Sequence, residues 1–511
     1  MPLGSREGRQ SRHAGVADRP VVEEAEVDLQ NVAVVAGFAL IVTDYVVKFL
    51  AVGVLPGNRK PSSAMAWLIL ILVIPLAGFV VFLFLGRTYV GAKRLTRQRE
   101  ADEALRAATD RLAPSPVEGP VYLPSMATLG LNLGALPLQT GNRVDLYPGY
   151  GEAIEAMTEA VAGATTSVEV EFYIAAWDEV TAPFFEALVA AADRGVTVRL
   201  LFDHMGSRSI PGHKEFVSRL ERTAIRFHQM LPVRPLHGQF QRPDLRNHRK
   251  LVVVDGRVAF MGSQNLIEPG YNKPKNHKDD REYIELVARV DGPSVNALRA
   301  VFAKDWYIES DERMGDEIRP DSTTHHADGI AAQVLPSGPG YATENNLRMF
   351  TALIYSAQER LSIASPYFVP DEPLLYAVTT AARRGVAVEL FVSEWGDQFM
   401  VSHAQCSYYQ ALLEAGVRIF LYPAPWVLHS KHFSIDDDVA VIGSSNMDMR
   451  SFALNYEVSM MVTGGDVVAR FRKVEDGYRA ISRELLLPEW QQRPRHLRYL
   501  DNTMRLTAAL Q

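Results

Sequence analysis

The stretch that decides the fold occurs twice, as NHRKLVVVDGRVAFMGSQN at residues 247–265 and as HSKHFSIDDDVAVIGSSN at residues 429–446. The His, Lys, Asp, Gly, Ser and Asn of the first copy recur in the second at equal spacing, 181 residues later. One His-x-Lys pair before an Asp-Gly turn usually marks no more than a β-hairpin. Two complete copies at matched spacing instead indicate a duplicated domain with a paired site.

The duplication extends upstream of this stretch. AADRGVTVRLLFD (191–203) is similar to AARRGVAVELFVS (381–393), and VEVEFYIAAWDE (168–179) to LSIASPYFVPDE (361–372). Each copy is therefore one α/β unit of roughly 180 residues, and the second copy begins near Gln333. Amphipathic helices that end in Arg-Gly alternate with β-rich runs, and this alternation predicts mainly parallel sheets covered by helices.

Two apolar segments precede the duplicated part. Residues 32–55 are apolar apart from Asp44 and Lys48, and residues 64–86 carry no charge. Each segment is long enough to cross a bilayer core of roughly 30 Å as a helix. Asp44 and Lys48 are four residues apart, so that one helix face can pair them. The sequence therefore predicts an N-terminal two-helix transmembrane hairpin.

Basic residues flank the two apolar segments unequally. The turn between the segments offers only Arg59 and Lys60, whereas a larger basic cluster follows the second segment. That cluster comprises Arg87, Lys93, Arg94, Arg97 and Arg99. By the positive-inside rule, the large C-terminal part is expected on the cytoplasmic side of the membrane.

Composition and charge divide the chain further. We expect a disordered polar tail at residues 1–30, the hairpin and a juxtamembrane helix at 31–112, a first domain at 113–328 and a second at 329–511. The net charge of −7 provides no global basic field that would hold nucleic acid. The single cysteine, Cys406, excludes an intramolecular disulfide and fits a reducing compartment.

The first motif predicts a hairpin with a two-residue turn that starts at Asp255. Such a turn would place His248 opposite Ser263 and Lys250 opposite Met261. His248 and Lys250 are two residues apart, so they project from the same face of the strand. Asp255 lies at the turn itself, and we assign it a structural role although it belongs to the motif.

The second motif follows the same geometry. A two-residue turn that starts at Asp436 would place His429 opposite Ser444, with Lys431 on the same strand face as His429. Two copies related by a pseudo-twofold axis would bring both clusters to one shared cleft. The candidate catalytic residues are then His248, Lys250, Asp255, His429, Lys431 and Asp436, and the candidate substrate-binding residues are Ser263, Asn265, Ser444 and Asn446.

These residue types suit a phosphodiester substrate. Lysine, serine and asparagine side chains can bind the non-bridging oxygens and stabilise charge in the transition state. One histidine can attack phosphorus while the other protonates the leaving alkoxide. A covalent intermediate then lets a second alcohol accept the group. The lysines already supply positive charge, so this chemistry requires no metal and no cofactor. Carboxylates that orient the imidazoles are expected downstream, at Glu282 and Glu457.

The pattern HxKxxxxD…GSxN, present twice, closely resembles the phospholipase D superfamily. Within it the chain is similar to the bacterial cardiolipin synthases, from about residue 31 to the C-terminus. That resemblance is carried by NRKPSSAMAWLILILVIPLAGFVVFLFLGR (58–87), QVLPSGP (333–339), SPYFVPDEPLLYAVTTAARRGV (365–386) and GSSNMDMRSFALNYE (443–457). It implies an α/β fold of two tandem phospholipase D-like domains packed with pseudo-twofold symmetry.

The resemblance also implies an activity. Two phosphatidylglycerols would give cardiolipin and glycerol through a phosphohistidine intermediate without a metal, with His248 as nucleophile and His429 as general acid. The partners implied are phosphatidylglycerol, cardiolipin and the lipid bilayer of a bacterial inner membrane, and no nucleic acid. Oligomeric state, including a homo-oligomer, is not decided by the sequence. Glu282 stands where relatives often have Asp.

Three alternatives stay open at this point. A membrane-bound hydrolase of the phospholipase D or nuclease kind would differ only in letting water reach the intermediate. A catalytically dead lipid-binding scaffold would not need two intact His-Lys pairs. An altered donor, such as phosphatidylethanolamine, would contact different residues, among which Arg281, Arg450 and Tyr367 are candidates.

Overall fold

The computed structural model describes residues 20–57, 61–86, 91–109, 119–234, 241–314, 323–341 and 344–508. The chain divides into two compact units. The N-terminal unit lies within residues 1–88 and the larger unit within residues 89–511.

The N-terminal unit consists of apolar helices. They are α1 (Pro20–Val54), α2 (Pro61–Val73) and α3 (Pro75–Val81), followed by a π-helical turn (Phe82–Gly86). Among the described residues, one helical stretch, Asn31–Val54, is long and apolar enough to cross a membrane.

The predicted second span is interrupted between α2 and α3. Pro75 lacks the N–H that would continue α2, and its ring clashes with the carbonyl four residues earlier. The structure therefore confirms the first helix of the expected hairpin, but the second segment is not one continuous helix.

Helix α1 departs from the sequence expectation at its start. It begins at Pro20, within the segment expected to be a disordered tail, and residues 1–19 lie outside the described residues. Inside the apolar stretch the Lys48 ammonium bonds to the Asp44 carboxylate at 2.9 Å, as the spacing predicts. This pairing lowers the cost of two charges within an apolar helix.

The larger unit begins with the predicted juxtamembrane helix and alternates helices with strands. Its helices are α4 (Ala92–Thr109), α5 (Leu123–Asn132), α6 (Tyr150–Ala162), α7 (Ala182–Asp193), α8 (His204–Arg208), α9 (His213–Leu220), α10 (Pro274–Lys278), α11 (Ser294–Ser310), α12 (Asn345–Ser356), α13 (Glu372–Arg383), α14 (Phe399–Ala415), α15 (Met449–Ala453), α16 (Val467–Ile481), α17 (Leu487–Gln491) and α18 (Arg495–Arg505).

The strands fall into two sets, one from each copy. The first set is β1 (Gln139–Tyr147), β2 (Ser167–Phe172), β3 (Thr197–Asp203), β4 (Arg226–Met230), β5 (Arg246–Asn247), β6 (Lys250–Val254), β7 (Val258–Gly262), β8 (Tyr283–Ile284) and β9 (Val287–Asp291). The second set is β10 (Ile330–Ser337), β11 (Arg360–Ala364), β12 (Phe368–Val369), β13 (Ala387–Ser393), β14 (Arg418–Tyr422), β15 (Val427–Leu428), β16 (His432–Ile435), β17 (Val439–Gly443), β18 (Met447–Asp448), β19 (Asn455–Thr463) and β20 (Arg483–Leu485).

Apart from five two-residue strands, the two sets repeat one strand order within a single sheet. From the middle outward, the first copy runs β1-β9-β7-β6-β2-β3-β4, and the second runs β10-β19-β17-β16-β11-β13-β14-β20. The copies meet where β1 pairs with β10 in antiparallel fashion. This mirrored order gives the two copies the pseudo-twofold relation that the repeat predicts.

The expectation of mainly parallel strands is wrong. Within the large sheet, parallel pairing in each copy is found among the outer strands, β2-β3-β4 in the first and β11-β13-β14 in the second. The two-residue strands β5, β8, β12, β15 and β18 form three further parallel pairs, β12-β18, β8-β15 and β5-β19. The motif hairpin and the strand after it pair antiparallel in both copies. The reason is local: hairpin loops join antiparallel strands, whereas helical crossovers are needed only for the parallel part.

Burial joins the two copies into one body. A central apolar cluster combines Val144 and Met261 of the first copy with Ile442 and Met460 of the second. Leu123, on α5, packs in a cluster with strands and helices of the second copy. The halves therefore share cores, and the site residues lie on a continuous, well-packed sheet.

Candidate active site

The two motif hairpins have longer loops than the sequence predicts. In the first copy Leu251, rather than Lys250, lies opposite Met261. The loop contains three residues, and the first two, Asp255 and Gly256, are left-handed with φ of 53° and 64°. A third loop residue shifts the register of the whole hairpin by one position.

The second copy shows the same shift. His432 lies opposite Ile442, and Asp436 at the start of the loop is left-handed with φ of 48°. The predicted facing pairs of histidine and serine are therefore wrong in both copies, although the hairpins themselves form where the motifs predict them.

The motif aspartates support the loops, as their position predicts. Asp255 accepts hydrogen bonds of 2.7–3.2 Å from the backbone N–H groups of residues 165–167. Asp436 accepts bonds of 2.8–3.3 Å from those of residues 358–360. Partial burial opposes ionisation, but the backbone hydrogen bonds outweigh it and lower the pKa of Asp255 to about 2. Both carboxylates tie a hairpin loop to the start of the neighbouring strand.

His248 is held by a carboxylate of the other copy. Its Nδ1 lies 3.0 and 3.2 Å from the two carboxylate oxygens of Glu457 and 3.1 Å from the carbonyl oxygen of Ser444. The carbonyl oxygen of Ser444 can only accept a hydrogen bond, so Nδ1 carries the proton. Nε2 of His248 is then the atom with a free lone pair.

His429 shows the reciprocal arrangement. Its Nδ1 lies 2.7 Å from Oε1 of Glu285, which belongs to the first copy. Each histidine is thus oriented across the pseudo-twofold axis, and neither half of the site is complete without the other. This exchange of carboxylates ties the two copies together at the site.

The sequence expectation is half right about these carboxylates. Glu457 lies where it was predicted to act, but Glu285 rather than Glu282 contacts His429. The side chain of Glu282 is exposed, because it lies three positions from Glu285 along an extended segment and so projects to the opposite face. Gly262 pairs with Val287, and Glu285 lies two residues before Val287. In the second copy Gly443 pairs with Ser459, and Glu457 lies two residues before Ser459. Aligning the copies on these strands would have identified Glu285.

The two motif serines hold the carboxylates in place. Ser444 Oγ donates to Glu457 Oε2 and accepts from the backbone N–H of Val458 at 3.0 Å. Ser263 Oγ accepts from the N–H of Leu286 at 2.9 Å. Both serines are fully buried and lie outside the lining of the cavity described below, so the structure does not place them where substrate would bind.

The motif lysines fold back onto the histidine backbones. Lys250 Nζ donates to the carbonyl oxygen of His248 at 2.6 Å, and Lys431 Nζ donates to that of His429 at 2.7 Å. Burial and the neighbouring Lys431 hold the pKa of Lys250 well below its usual range. Burial also lowers the pKa of Lys431 to about 8, against the opposing effect of Glu285.

The motif asparagines differ between the copies. Asn265 is committed to structure: its Oδ1 accepts from the N–H of Ile174 at 3.1 Å, and its Nδ2 donates to the Tyr271 hydroxyl at 2.9 Å. Asn446 also lines the cavity, but its buried Oδ1 has no hydrogen-bond partner among the described residues. Asn446 is therefore the asparagine with an acceptor to offer a ligand.

Both histidines line one cavity of about 380 Å³. Sequence reasoning missed several of its lining residues, which are Arg246, Tyr173, Tyr271, Tyr283, Asp397, Gln398 and Asp448. Arg246 is almost fully buried and bonds to Asp203 at 3.2 Å. Its counterpart in the second repeat is Val427, and this break in the repeat was a signal available in the sequence.

Burial lowers the pKa of both imidazoles. Burial, Lys250 and Lys431 hold the pKa of His248 well below its usual range. Burial also lowers the pKa of His429, but Glu285 opposes this effect. Among the residues that the structure describes, no group of three or more His, Cys, Asp or Glu side chains is arranged to hold a metal ion.

Comparisons with known proteins agree with this geometry. The family model described as "Cardiolipin synthase, PLD-like domain" matches residues 157–306 and 350–476, which covers both motif copies. A model described as "Phospholipase_D-nuclease N-terminal" matches residues 46–87.

Individual relatives match over most of their length. Cardiolipin synthase A of Proteus mirabilis is 32% identical over 462 residues, 88% of this chain and 93% of the relative. Cardiolipin synthase A of Serratia proteamaculans is 33% identical over 458 residues, 86% of this chain and 91% of the relative.

A solved structure shares the fold. The phosphatidylserine synthase of Haemophilus influenzae superimposes with a TM-score of 0.56 at 14% identity, over 75% of this chain and 99% of that one. The duplicated motif, the exchanged carboxylates and the sequence matches converge, and the chain belongs to the cardiolipin synthase family of phospholipase D-like proteins.

Proposed function

We propose that the protein makes cardiolipin and glycerol from two phosphatidylglycerol molecules by two successive displacements at phosphorus. The observation that carries the proposal is the pair of histidines in one cavity, each held at Nδ1 by a glutamate of the other copy. This arrangement leaves Nε2 of each imidazole free of a carboxylate partner, and Lys431 Nζ lies 3.2 Å from that of His429. A nucleophile and a proton donor are the two groups that exchange of a phosphodiester requires.

In the first half-reaction, Nε2 of His248 attacks the phosphorus of the donor lipid. A P–N bond forms while the P–O bond to the glycerol headgroup breaks. His429 gives the proton on its Nε2 to the departing oxygen, and free glycerol leaves. His248 now carries the phosphatidyl group, and His429 is neutral.

In the second half-reaction, a headgroup hydroxyl of the second phosphatidylglycerol replaces glycerol. Its proton passes to Nε2 of His429 as its oxygen attacks phosphorus. The P–N bond breaks, cardiolipin leaves, and both histidines return to their starting states. Transfer to water at this step would give phosphatidic acid, so exclusion of water decides between synthase and hydrolase.

The electrostatics of the two half-sites support this division of roles. A nucleophile must be neutral, and burial together with Lys250 and Lys431 holds the pKa of His248 well below its usual range. A general acid must hold a proton, and Glu285 counteracts the depression at His429. Although burial disfavours its charge, His429 and Lys431 lower the pKa of Glu285, so it remains an ionised partner.

Positive charge for the phosphoryl oxygens is available beside the histidines, on two lysines that are buried outside the lining of the cavity. We assign this role to Lys250 and Lys431. Burial lowers the pKa of both, and repulsion by Lys431 lowers that of Lys250 further. An anionic phosphodiester would relieve that repulsion on binding. Asn446, with its unpartnered oxygen, is proposed to contact substrate as well.

We also propose that the enzyme is anchored in a bacterial inner membrane by two spans. The second would combine Ser63–Val73 with Pro75–Phe84, and the two pieces together approach the roughly 30 Å of a bilayer core. The basic cluster after the second span supports a cytoplasmic catalytic unit. Reaction of a single introduced cysteine at position 58, in a Cys406→Ala background, with an impermeant maleimide would test the topology.

The activity is tested with purified protein in liposomes of phosphatidylglycerol labelled in its glycerol headgroup, without added divalent metal. We expect cardiolipin and free glycerol to appear in equal amounts. Phosphatidic acid as the main product would instead establish a hydrolase. Absence of any lipid product would contradict the catalytic assignment.

A further inference from the structure

The cavity has a feature that phosphoryl transfer alone does not use. Asp397 lies in the segment between β13 and α14 and lines the cavity. Its carboxylate accepts a hydrogen bond from the Tyr283 hydroxyl at 2.9 Å and from the Tyr367 hydroxyl at 2.9 Å. Gln398 Nε2 donates to the Tyr367 hydroxyl at 2.8 Å. The result is a cluster of oxygen atoms, here called the Asp397 cluster, that joins both copies.

The Asp397 cluster lies beside the proposed general acid. The ring of Tyr283 is 5.3 Å from the ring of His429, and the ring of Tyr367 is 6.4 Å from it. Burial and Asp397 raise the pKa of both tyrosines, so their hydroxyls stay protonated and donate hydrogen bonds to the Asp397 carboxylate. The carboxylate oxygens of the cluster can still accept hydrogen bonds from a ligand.

The lining of the cavity also includes cationic side chains. Among them are Arg246, Lys273 and Arg450. Those cations suit the phosphodiester, whereas a carboxylate repels it. A ligand at the Asp397 cluster must therefore present hydrogen-bond donors and no negative charge. The unpartnered Oδ1 of Asn446 adds a second acceptor to the same cavity.

We propose that Asp397, supported by Tyr283 and Tyr367, forms a subsite for the hydroxyl groups of a glycerol headgroup. The inference rests on the proposed function and extends it to acceptor selection. The glycerol that leaves and the headgroup that arrives both exchange a proton with His429, so one polyol subsite beside His429 serves both half-reactions. Its carboxylate favours an acceptor with several hydroxyls over water or a simple alcohol.

The test measures how the enzyme divides the phosphatidyl group between two acceptors, and this ratio does not depend on the overall rate. Enzyme in phosphatidylglycerol liposomes receives labelled glycerol and methanol together as soluble acceptors. Transfer to glycerol gives labelled phosphatidylglycerol, and transfer to methanol gives phosphatidylmethanol. We expect Asp397→Asn to lower the ratio of glycerol to methanol transfer at least about tenfold, since a hydrogen bond to a charged acceptor is lost. Tyr367→Phe should lower it about threefold.

Glu394→Gln is the matched control. It removes a carboxylate three positions away that pairs with Arg483 at 3.3 Å and does not line the cavity. Its ratio should equal that of the wild type. An unchanged ratio in Asp397→Asn overturns the subsite. If that variant forms no product, an unchanged ratio in Tyr367→Phe overturns it equally. Wild-type enzyme that transfers to neither acceptor and makes no cardiolipin would instead refute the proposed function.

Discussion

The two halves of the site carry the same motif in different surroundings. His248 is held by Glu457 together with a backbone carbonyl, and its side of the cavity includes Arg246. His429 is held by Glu285 at a shorter distance, and its side is lined by tyrosines. Duplication supplied two identical sets of reactive groups. The neighbours, rather than the motifs, distinguish a nucleophile from an acid.

The carboxylates show this divergence most clearly. Burial raises the pKa of Glu457 to about 7, despite Lys250. Glu285 is equally buried, yet its pKa is lowered because His429 and Lys431 outweigh the burial. The two His-Glu pairs therefore bind the shared proton differently. If the two His-Glu pairs were equivalent, the two histidines could exchange roles, and variants of the two pairs would behave alike.

The largest difference is expected between the two histidine variants. His248→Ala should lose at least about 10⁴-fold in turnover with every donor, because no nucleophile remains. His429→Ala should lose about 10³-fold with phosphatidylglycerol, because the leaving alkoxide needs a proton. With a phosphatidyl ester of p-nitrophenol, whose leaving group needs no proton, His429→Ala should release the first equivalent of p-nitrophenol at near wild-type rate. Rescue of His248→Ala instead would reverse the roles.

The variants of the two glutamates that orient the histidines should differ from each other in the same way, with smaller losses of turnover. Glu285→Gln and Glu457→Gln should each lower turnover of phosphatidylglycerol about 100-fold, since each removes the partner that orients one imidazole. Only Glu285→Gln should be rescued by the p-nitrophenyl ester, because it acts through the acid. Equal rescue of both variants would mean that the half-sites are equivalent. Glu282→Gln, at an exposed position, is the control and should match the wild type.

The pH dependence should reveal Lys431. Its pKa is lowered to about 8 by burial, so it is charged below that pH and loses its proton as the pH rises above it. Loss of this charge removes stabilisation from the phosphoryl oxygens, and kcat/KM should fall on the alkaline side of pH 8. An arginine stays charged there, so the residual activity of Lys431→Arg should show no such decline. A decline unchanged in that variant would assign it to another group.

The smallest difference is expected where the two copies are structurally equivalent. Asp255→Asn and Asp436→Asn should each destabilise the fold by about 1–3 kcal/mol, because backbone N–H groups lose an ionised acceptor. Thermal unfolding in detergent should show similar shifts for both, with turnover within about threefold of the wild type. The pKa of Asp255 is lowered, so its contribution is present above its usual pKa near 4 and is lost as the pH falls towards 2. A large loss of turnover would contradict the structural role.

The repeat explains how much of this site the sequence predicts. Equal spacing of the motif residues predicted the paired site and the hairpins, and both are present. Register was missed because the loop extends by one residue to Arg257, with Asp255 in a left-handed conformation, and the propensity for a two-residue turn does not reveal this. Glu285 was missed because the segment before it is longer in the first copy than in the second, so counting from the motif fails.

Other errors have equally local causes. Alternating helices and strands suggested parallel sheets, but the strands nearest the site come from hairpins and pair antiparallel. The second apolar segment contains Pro75, and apolarity alone cannot show that the helix is interrupted there. Arg246 and Asp397 belong to no motif and reach the cavity only through the fold.

The most direct test of the account is to trap the phosphatidyl-enzyme. His429→Ala would be mixed with the p-nitrophenyl ester in the absence of an alcohol acceptor, quenched at alkaline pH because a P–N bond is acid-labile, digested, and analysed by mass spectrometry. The account predicts a phosphatidyl group on His248 and none when His248 is also replaced. A modified residue other than His248, or turnover without any covalent intermediate, would contradict it.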